Sequence, residues 1–170
     1  LGKAANDTTY GWDIDYGDLT VEVNSFVASK YLITNSDFLC FVKEGGYDNQ
    51  DYWSEESWQW KTQSNIQHPK FWLPHNGSYH YRTMFDALEL PFDWPVEVNH
   101  YEAMAYCRWD GKDTRLMTEA EYHLATYGND ENKDLEEETG YYNLNLKFGS
   151  PSPVGWLKTA ESPSGLYDLR

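Results

Sequence analysis

Five histidines are the residues in this chain best suited to chemistry: His68, His75, His80, His100 and His123. The first three fall within thirteen positions, seven and five apart. A three-histidine metal centre needs its imidazoles to converge on one open geometry. This spacing matches no such motif, so the favoured expectation is histidines spread over a loop surface, with metal ligation as the sharper alternative. His123 sits mid-helix beside Tyr122 and reads as a partly buried, hydrogen-bonded side chain rather than a base. Glu119 and Glu121 raise the question of a paired acid and base. Arg82 and Arg108 could each grip a carboxylate bidentately. Asn143 and Asn145 could offer carbonyl oxygens to calcium. Cys40 and Cys107 each lie among apolar residues on an expected helix and read as two buried free thiols, with a disulfide or a reactive thiol as alternatives. No nucleophile elbow, phosphate loop, dinucleotide fingerprint, CxxC or HExxH occurs. The residues alone therefore nominate no catalytic, cofactor-binding or metal-binding residue.

Something must nonetheless position them. "DLTVEVNSFVAS" alternates at Leu19, Val21 and Val23 and predicts a half-buried strand reaching Phe26. "TNSDFLCFVKEGGY" predicts a helix capped by Thr34 or Asn35, with Phe38, Leu39, Phe41 and Val42 on its apolar face. Gly45 and Gly46 should end it in the left-handed conformation. Residues 47–95 show no sustained period but carry Trp53, Trp58, Trp60, Trp72 and Trp94. They read as an ordered irregular loop pinned by indoles, and such loops are usually functional. Two capped helices follow. Asn99 with Glu102, and Thr118 with Glu121, have capping-box spacing, and Gly111 and Gly128 supply the stops. Capping accounts for Glu121 without invoking catalysis, and it makes Arg115 a structural ion pair with the capping acids. Ala103, Tyr106 and Cys107 share one helix face, and Leu124 and Ala125 face the core of the next. "NDENKDLEEETG" reads as a solvated acidic connector. The tail, rich in Gly, Pro and Ser, reads as turns and short strands.

Composition sets the outer bounds. The chain has 170 residues, enough for one domain with a real core. Aromatic residues make up 17% of it, more than an ordinary core needs, which argues for large side chains holding a loop-rich fold. A net charge of -15 argues against nucleic acid and against an anionic membrane surface. No stretch approaches the ~20 apolar residues of a membrane span, and the opening residues lack the apolar core of a signal peptide. Two free thiols suit a reducing cytosol, so a cytoplasmic location is expected. The absence of an initiating Met suggests a fragment of a longer protein.

The order of blocks carries a resemblance. "YLITNSDFLCFVKEGGY", "WPVEVNHYEAMAYCRWDGK", "RLMTEAEYHLAT", "GSPSPVG" and "GLYDLR" together resemble the formylglycine-generating-enzyme-like, or sulfatase-modifying factor, domain. Against that family's usual "RLPTEAEWE", Met117 replaces the Pro, and Tyr122 and His123 replace "WE". The resemblance covers residues ~19–170, leaving 1–18 as a lead-in and the domain incomplete at its C-terminus. It implies an α+β fold of the C-type-lectin-like kind, with few short helices and strands and much irregular structure. "YGWDIDYG", "PKFW", "FDWPVEVN" and "NLNLKFGSPSPVG" further resemble the central domain of 5-histidylcysteine sulfoxide synthases, the iron enzymes of ovothiol biosynthesis.

That likeness implies a parent enzyme using non-haem Fe(II) and O2 to join the sulfur of cysteine to the imidazole of histidine. The iron ligands of such enzymes lie in an N-terminal DinB-like domain, and a methyltransferase domain often follows. Both are implied partners within one polypeptide, with no nucleic acid and no membrane. The implied Fe(II) would be bound outside this segment, which should hold no cofactor itself and serve as scaffold and cavity wall, inactive in isolation. The family's substrate-contacting segment follows "GLYDLR", as does the cysteine pair of the true formylglycine-generating enzymes, so neither Cys40 nor Cys107 takes that role. Its structural calcium falls near Asn143 and Leu144, but the acidic partner expected further on is not evident. Alternatives are an ergothioneine-type synthase or a formylglycine-generating oxidase on the same fold, and a non-enzymatic lectin-like binding module that uses the aromatic segment.

Overall fold

The computed structural model describes residues 1–8, 10–111, 113–128, 142–144 and 146–169. Four short helices and one small antiparallel sheet surround an aromatic core: α1 (Asn35–Lys43), α2 (Glu55–Gln63), β1 (Trp72–His75), β2 (Ser78–Arg82), β3 (Ala87–Glu89), α3 (His100–Asp110) and α4 (Glu119–Tyr127). The sheet runs in the order β1-β2-β3. The architecture is α+β with much irregular chain, as expected.

Each helix starts where its cap dictates. The Thr34 hydroxyl accepts from the Asp37 N–H, and Asp37 answers by accepting from the Thr34 N–H at 2.9 Å. Asn99 and Glu102 exchange the same pair of bonds at 2.9 and 3.0 Å, and Thr118 and Glu121 do so at 2.8 and 3.3 Å. Capping of this kind satisfies backbone donors that have no partner inside the helix. The stop after α1 differs from the expectation. Gly45 is left-handed at φ 80°, but Gly46 is not. Gly46 is needed for space instead, because a Cβ there would run into the ring of Phe41.

Phe38 and Phe41 on α1 meet Tyr106 on α3. Phe38 stacks on Tyr106 at 5.3 Å and meets Trp72 of β1 edge to face at 6.3 Å. Tyr47, Trp53, Tyr81 and Leu90 complete the buried cluster. Asn35 lies inside it, fully buried. Its Nδ2 donates to the Pro91 carbonyl at 2.8 Å, and its Oδ1 accepts from the Trp72 indole at 3.2 Å. The N-terminus of α1 is thereby tied to the sheet and to the loop after it.

Four expectations are corrected. Residues 19–26 form no strand, and Leu19 and Val21 are exposed. Alternation without a partner strand leaves backbone groups unpaired, so the pattern alone could not build one. Conversely, 47–95 is no plain loop, since it contains α2 and all three strands of the sheet. Its indoles do pin it, with Trp53 and Trp72 buried and Trp58, Trp60 and Trp94 packed against the core. The tail shows turns and a short 3-10 helix at Lys158–Ala160, with no strand among the described residues. Finally, Cys107 is buried but Cys40 is exposed. The acidic connector lies outside the described residues.

Candidate functional site

The sheet positions a cleft. Asn76 and Gly77, at φ 47° and 77°, make the two-residue turn that joins β1 to β2. Positive φ at both positions matches the right-handed twist of the flanking strands. The register pairs Trp72 with Tyr81, so both rings enter the core, while the alternating residues Leu73, His80 and Arg82 take the other face. Beside Arg82 opens a cleft of about 390 Å³, whose walls include Phe71, Tyr81, Arg82, Met84, Glu97 and Pro151.

Its chemistry is mixed. The Tyr81 hydroxyl donates a short hydrogen bond to Glu97. Burial, then that bond and the acid's charge, push the phenol well above its usual range, so it stays a neutral donor and not a base. The Arg82 guanidinium stands 5.4 Å above the Phe71 ring. No carboxylate pairs with it among the described residues. A planar cation stacked on one face, with its N–H fork open, suits a carboxylate ligand. The cleft can therefore hold and orient a small acid.

The other residues singled out from the sequence are mostly structural. His75 and His80 stack at 3.9 Å on the hairpin, whereas His68 turns to the Pro69 carbonyl at 3.0 Å. The three do not converge, and among the described residues no group of three His, Cys, Asp or Glu side chains could hold a metal ion. These residues do not fit an iron centre. His123 packs between Tyr122 and Tyr127, with Nε2 4.0 Å from Glu119. Arg115 grips Glu121 bidentately at 2.5 and 2.7 Å, as expected. The guanidinium and the Thr118 N–H hold the Glu121 carboxyl down to about 2. A cap carboxylate clamped by Arg115 and ionised near neutral pH does not donate a proton there, so the paired-carboxylate alternative fails. Arg108 donates to the Tyr52 carbonyl at 3.0 Å rather than to a ligand. Asn143 uses its amide to donate to the Ser150 carbonyl at 2.9 Å, and Asn145 lies outside the described residues. Burial, reinforced by Asp110, raises the Cys107 thiol, which makes it a poor nucleophile.

Two buried polar contacts escaped sequence reasoning. One is the Asn35–Trp72 bond. The other is Tyr47, whose hydroxyl donates to Glu102 at 2.6 Å across the core. Burial raises the Glu102 carboxyl, against the pull of Tyr47 and the Asn99 N–H. The capping spacing marked Glu102, but nothing in the sequence pointed to a partner 55 residues away.

Residues 2–169 match the family described as the sulfatase-modifying factor enzyme 1-like domain. Three relatives share one name, hercynine oxygenase. The chain is 31% identical to that of Mycobacterium tuberculosis across 99% of its own length, covering 41% of the relative. It is 34% identical to that of Mycolicibacterium thermoresistibile and 36% identical to that of Mycolicibacterium smegmatis, each across 74% of the chain and under a third of the relative. The chain thus spans less than half the length of the curated relatives it matches.

Proposed function

From the premise that this chain belongs to the sulfatase-modifying factor enzyme 1-like domain family, we propose that it is part of a sulfoxide synthase that joins the sulfur of cysteine to the imidazole of histidine. The observation that carries the reading is the likeness to hercynine oxygenases, across 99% of the chain in one relative and 74% in two others, which favours an oxygenase-type enzyme. The cleft beside Arg82 is consistent with an auxiliary role in such an enzyme, because its guanidinium can orient a carboxylate-bearing substrate. Fe(II) as cofactor and O2 as oxidant belong to the proposal, with the metal held beyond the described residues, since the histidines here do not converge. The DinB-like iron domain, a methyltransferase domain and a cytoplasmic location are parts of the same proposal. Among the described residues no helix is long and apolar enough to cross a membrane.

A second reading replaces histidine with hercynine, and the relatives' name favours it. One experiment separates them. The protein, expressed with its natural flanks, is given Fe(II), O2 and cysteine with either histidine or hercynine. Mass spectrometry then looks for a C–S coupled sulfoxide. Product from histidine upholds the first reading, and product from hercynine alone upholds the second. No coupled product from either refutes both.

A further inference from the structure

We propose that a second cleft, between α2 and α3, binds a guanidinium group, such as the side chain of an arginine presented by a basic partner segment. The cleft measures about 400 Å³ and is lined by Trp60, Asn99, His100 and Tyr101. It lies apart from Arg82 and shares no lining residue with the first cleft. Glu56 and Trp60 stand four residues apart on α2, so they share one face of that helix. Both face Tyr101 on α3. The Tyr101 hydroxyl donates to Glu56 Oε1 at 2.7 Å, and the Trp60 and Tyr101 rings meet at 5.4 Å, tilted by 49°. His100 lies 6.4 Å from Tyr101, ring to ring.

This grouping is a cation-recognition arrangement. An indole and a phenol line one groove, and the phenol hydroxyl holds a carboxylate beside it. Tyr101 spends its hydroxyl on Glu56 Oε1, which fixes the carboxylate and leaves Oε2 with no hydrogen bond among the described residues. Trp58, two residues away, already has the Lys61 ammonium 4.8 Å over its ring, whereas the Trp60 face has no such cation among the described residues. The two rings are tilted by 49°, and the Glu56 carboxylate is fixed at the Tyr101 hydroxyl. That shape suits a flat cation that stacks and pairs sideways with a carboxylate more than it suits a spherical quaternary ammonium. A net charge of -15 draws a basic partner toward the surface.

The test titrates the protein, expressed with its natural flanks, with N-acetyl-arginine amide while NMR follows the Trp60 indole N–H. N-acetyl-citrulline amide serves as the isosteric neutral control. The proposal expects a saturable Trp60 shift with the arginine compound, about fivefold weaker with citrulline. Glu56→Gln, which keeps an acceptor for Tyr101, should weaken arginine binding about threefold. Trp156→Ala, at an exposed indole elsewhere, should change nothing. Equal binding of citrulline, or no Trp60 shift, overturns the proposal. Tighter binding of tetramethylammonium than of the arginine compound overturns the guanidinium assignment.

Discussion

Replacing Asn35 with Ala should be among the costliest single changes in this chain. The side chain is fully buried and carries two long-range bonds, one given to the Pro91 carbonyl and one taken from the Trp72 indole. Alanine removes both bonds and leaves the Trp72 indole N–H buried and unsatisfied, at about 1–3 kcal/mol, while the Pro91 carbonyl keeps the Trp94 N–H at 3.2 Å and loses one ordinary bond, at about 0.5–1.5 kcal/mol. A loss of about 1.5–4.5 kcal/mol follows, against the ~5–15 kcal/mol that holds a typical domain. Urea denaturation of the full chain should show this as a lower midpoint with an unchanged slope. Asn35→Asp sharpens the test. A carboxylate still accepts from Trp72, but it faces the Pro91 carbonyl oxygen with no proton between them. Its folded pKa must therefore rise above the unfolded value. A raised pKa gives stability that is fully present below the unfolded pKa of ~3.9 and is lost as pH rises through the folded one. Relative to the parent at each pH, Asn35→Asp should be nearly neutral near pH 4. It should then worsen toward pH 8, by ~1.4 kcal/mol for every tenfold difference in proton affinity between the folded and unfolded carboxyl. Trp72→Phe combined with Asn35→Ala closes the cycle, and the pair should be clearly less than additive. An Asn35→Ala cost under ~1 kcal/mol, or an Asp variant whose deficit does not vary with pH, would refute this account of the α1–sheet junction.

Two further outcomes are expected. Glu121 is held down to about 2, so its stabilising contribution is present above its unfolded value of 4.5 and is lost as pH falls between the two; Glu121→Gln should flatten that part of the acid-unfolding curve followed by circular dichroism, and an unchanged curve would count against the Arg115–Glu121 clamp. In the protein with its natural flanks, Arg82→Ala should raise KM for a carboxylate-bearing substrate by about tenfold with kcat little changed, and an unaltered KM for every substrate would remove the cleft from substrate binding.

What the sequence disclosed about this fold follows from how local each cause is. The caps on α1, α3 and α4 were legible because a capping box is written within four consecutive residues, and so was Arg115 as the partner of Glu121. The sheet was missed although its turn was in plain view. Asn76-Gly77 between "WLPH" and "SYHYR" is a strong short hairpin signal, hidden by the aromatic density around it. The false strand at 19–26 is the reverse case, a real alternation with no partner to pair with. Cys40 was misplaced because its apolar neighbours Leu39 and Phe41 lie on the buried side of α1, one helical step away. The Arg82 cleft was half legible. The residue was marked as a carboxylate ligand, but its wall from Glu97 and Pro151 comes from distant chain that no local pattern joins.

The two clefts and the core divide the aromatic residues by task. Phe38, Phe41, Trp72, Tyr81 and Tyr106 interlock in the buried cluster, where the Trp72 indole and the Tyr81 hydroxyl are matched to Asn35 and Glu97. Phe71, Trp60 and Tyr101 lie half-buried at the border of that cluster, with part of each ring turned to a groove. A ring anchored by its buried portion loses little further freedom when a ligand covers the rest, so its binding contribution is not offset by the ordering of a loose side chain. The same economy explains why short helices suffice. With so few regular elements, the rigidity of the grooves comes from indole and phenol rings wedged between α1, α3 and the sheet. The residues that shape a site here are held by packing rather than by the backbone ladder beneath them. Substitutions in that wedge should therefore disturb both grooves at once, whereas substitutions at Arg82 or Glu56 should disturb one and leave the other intact.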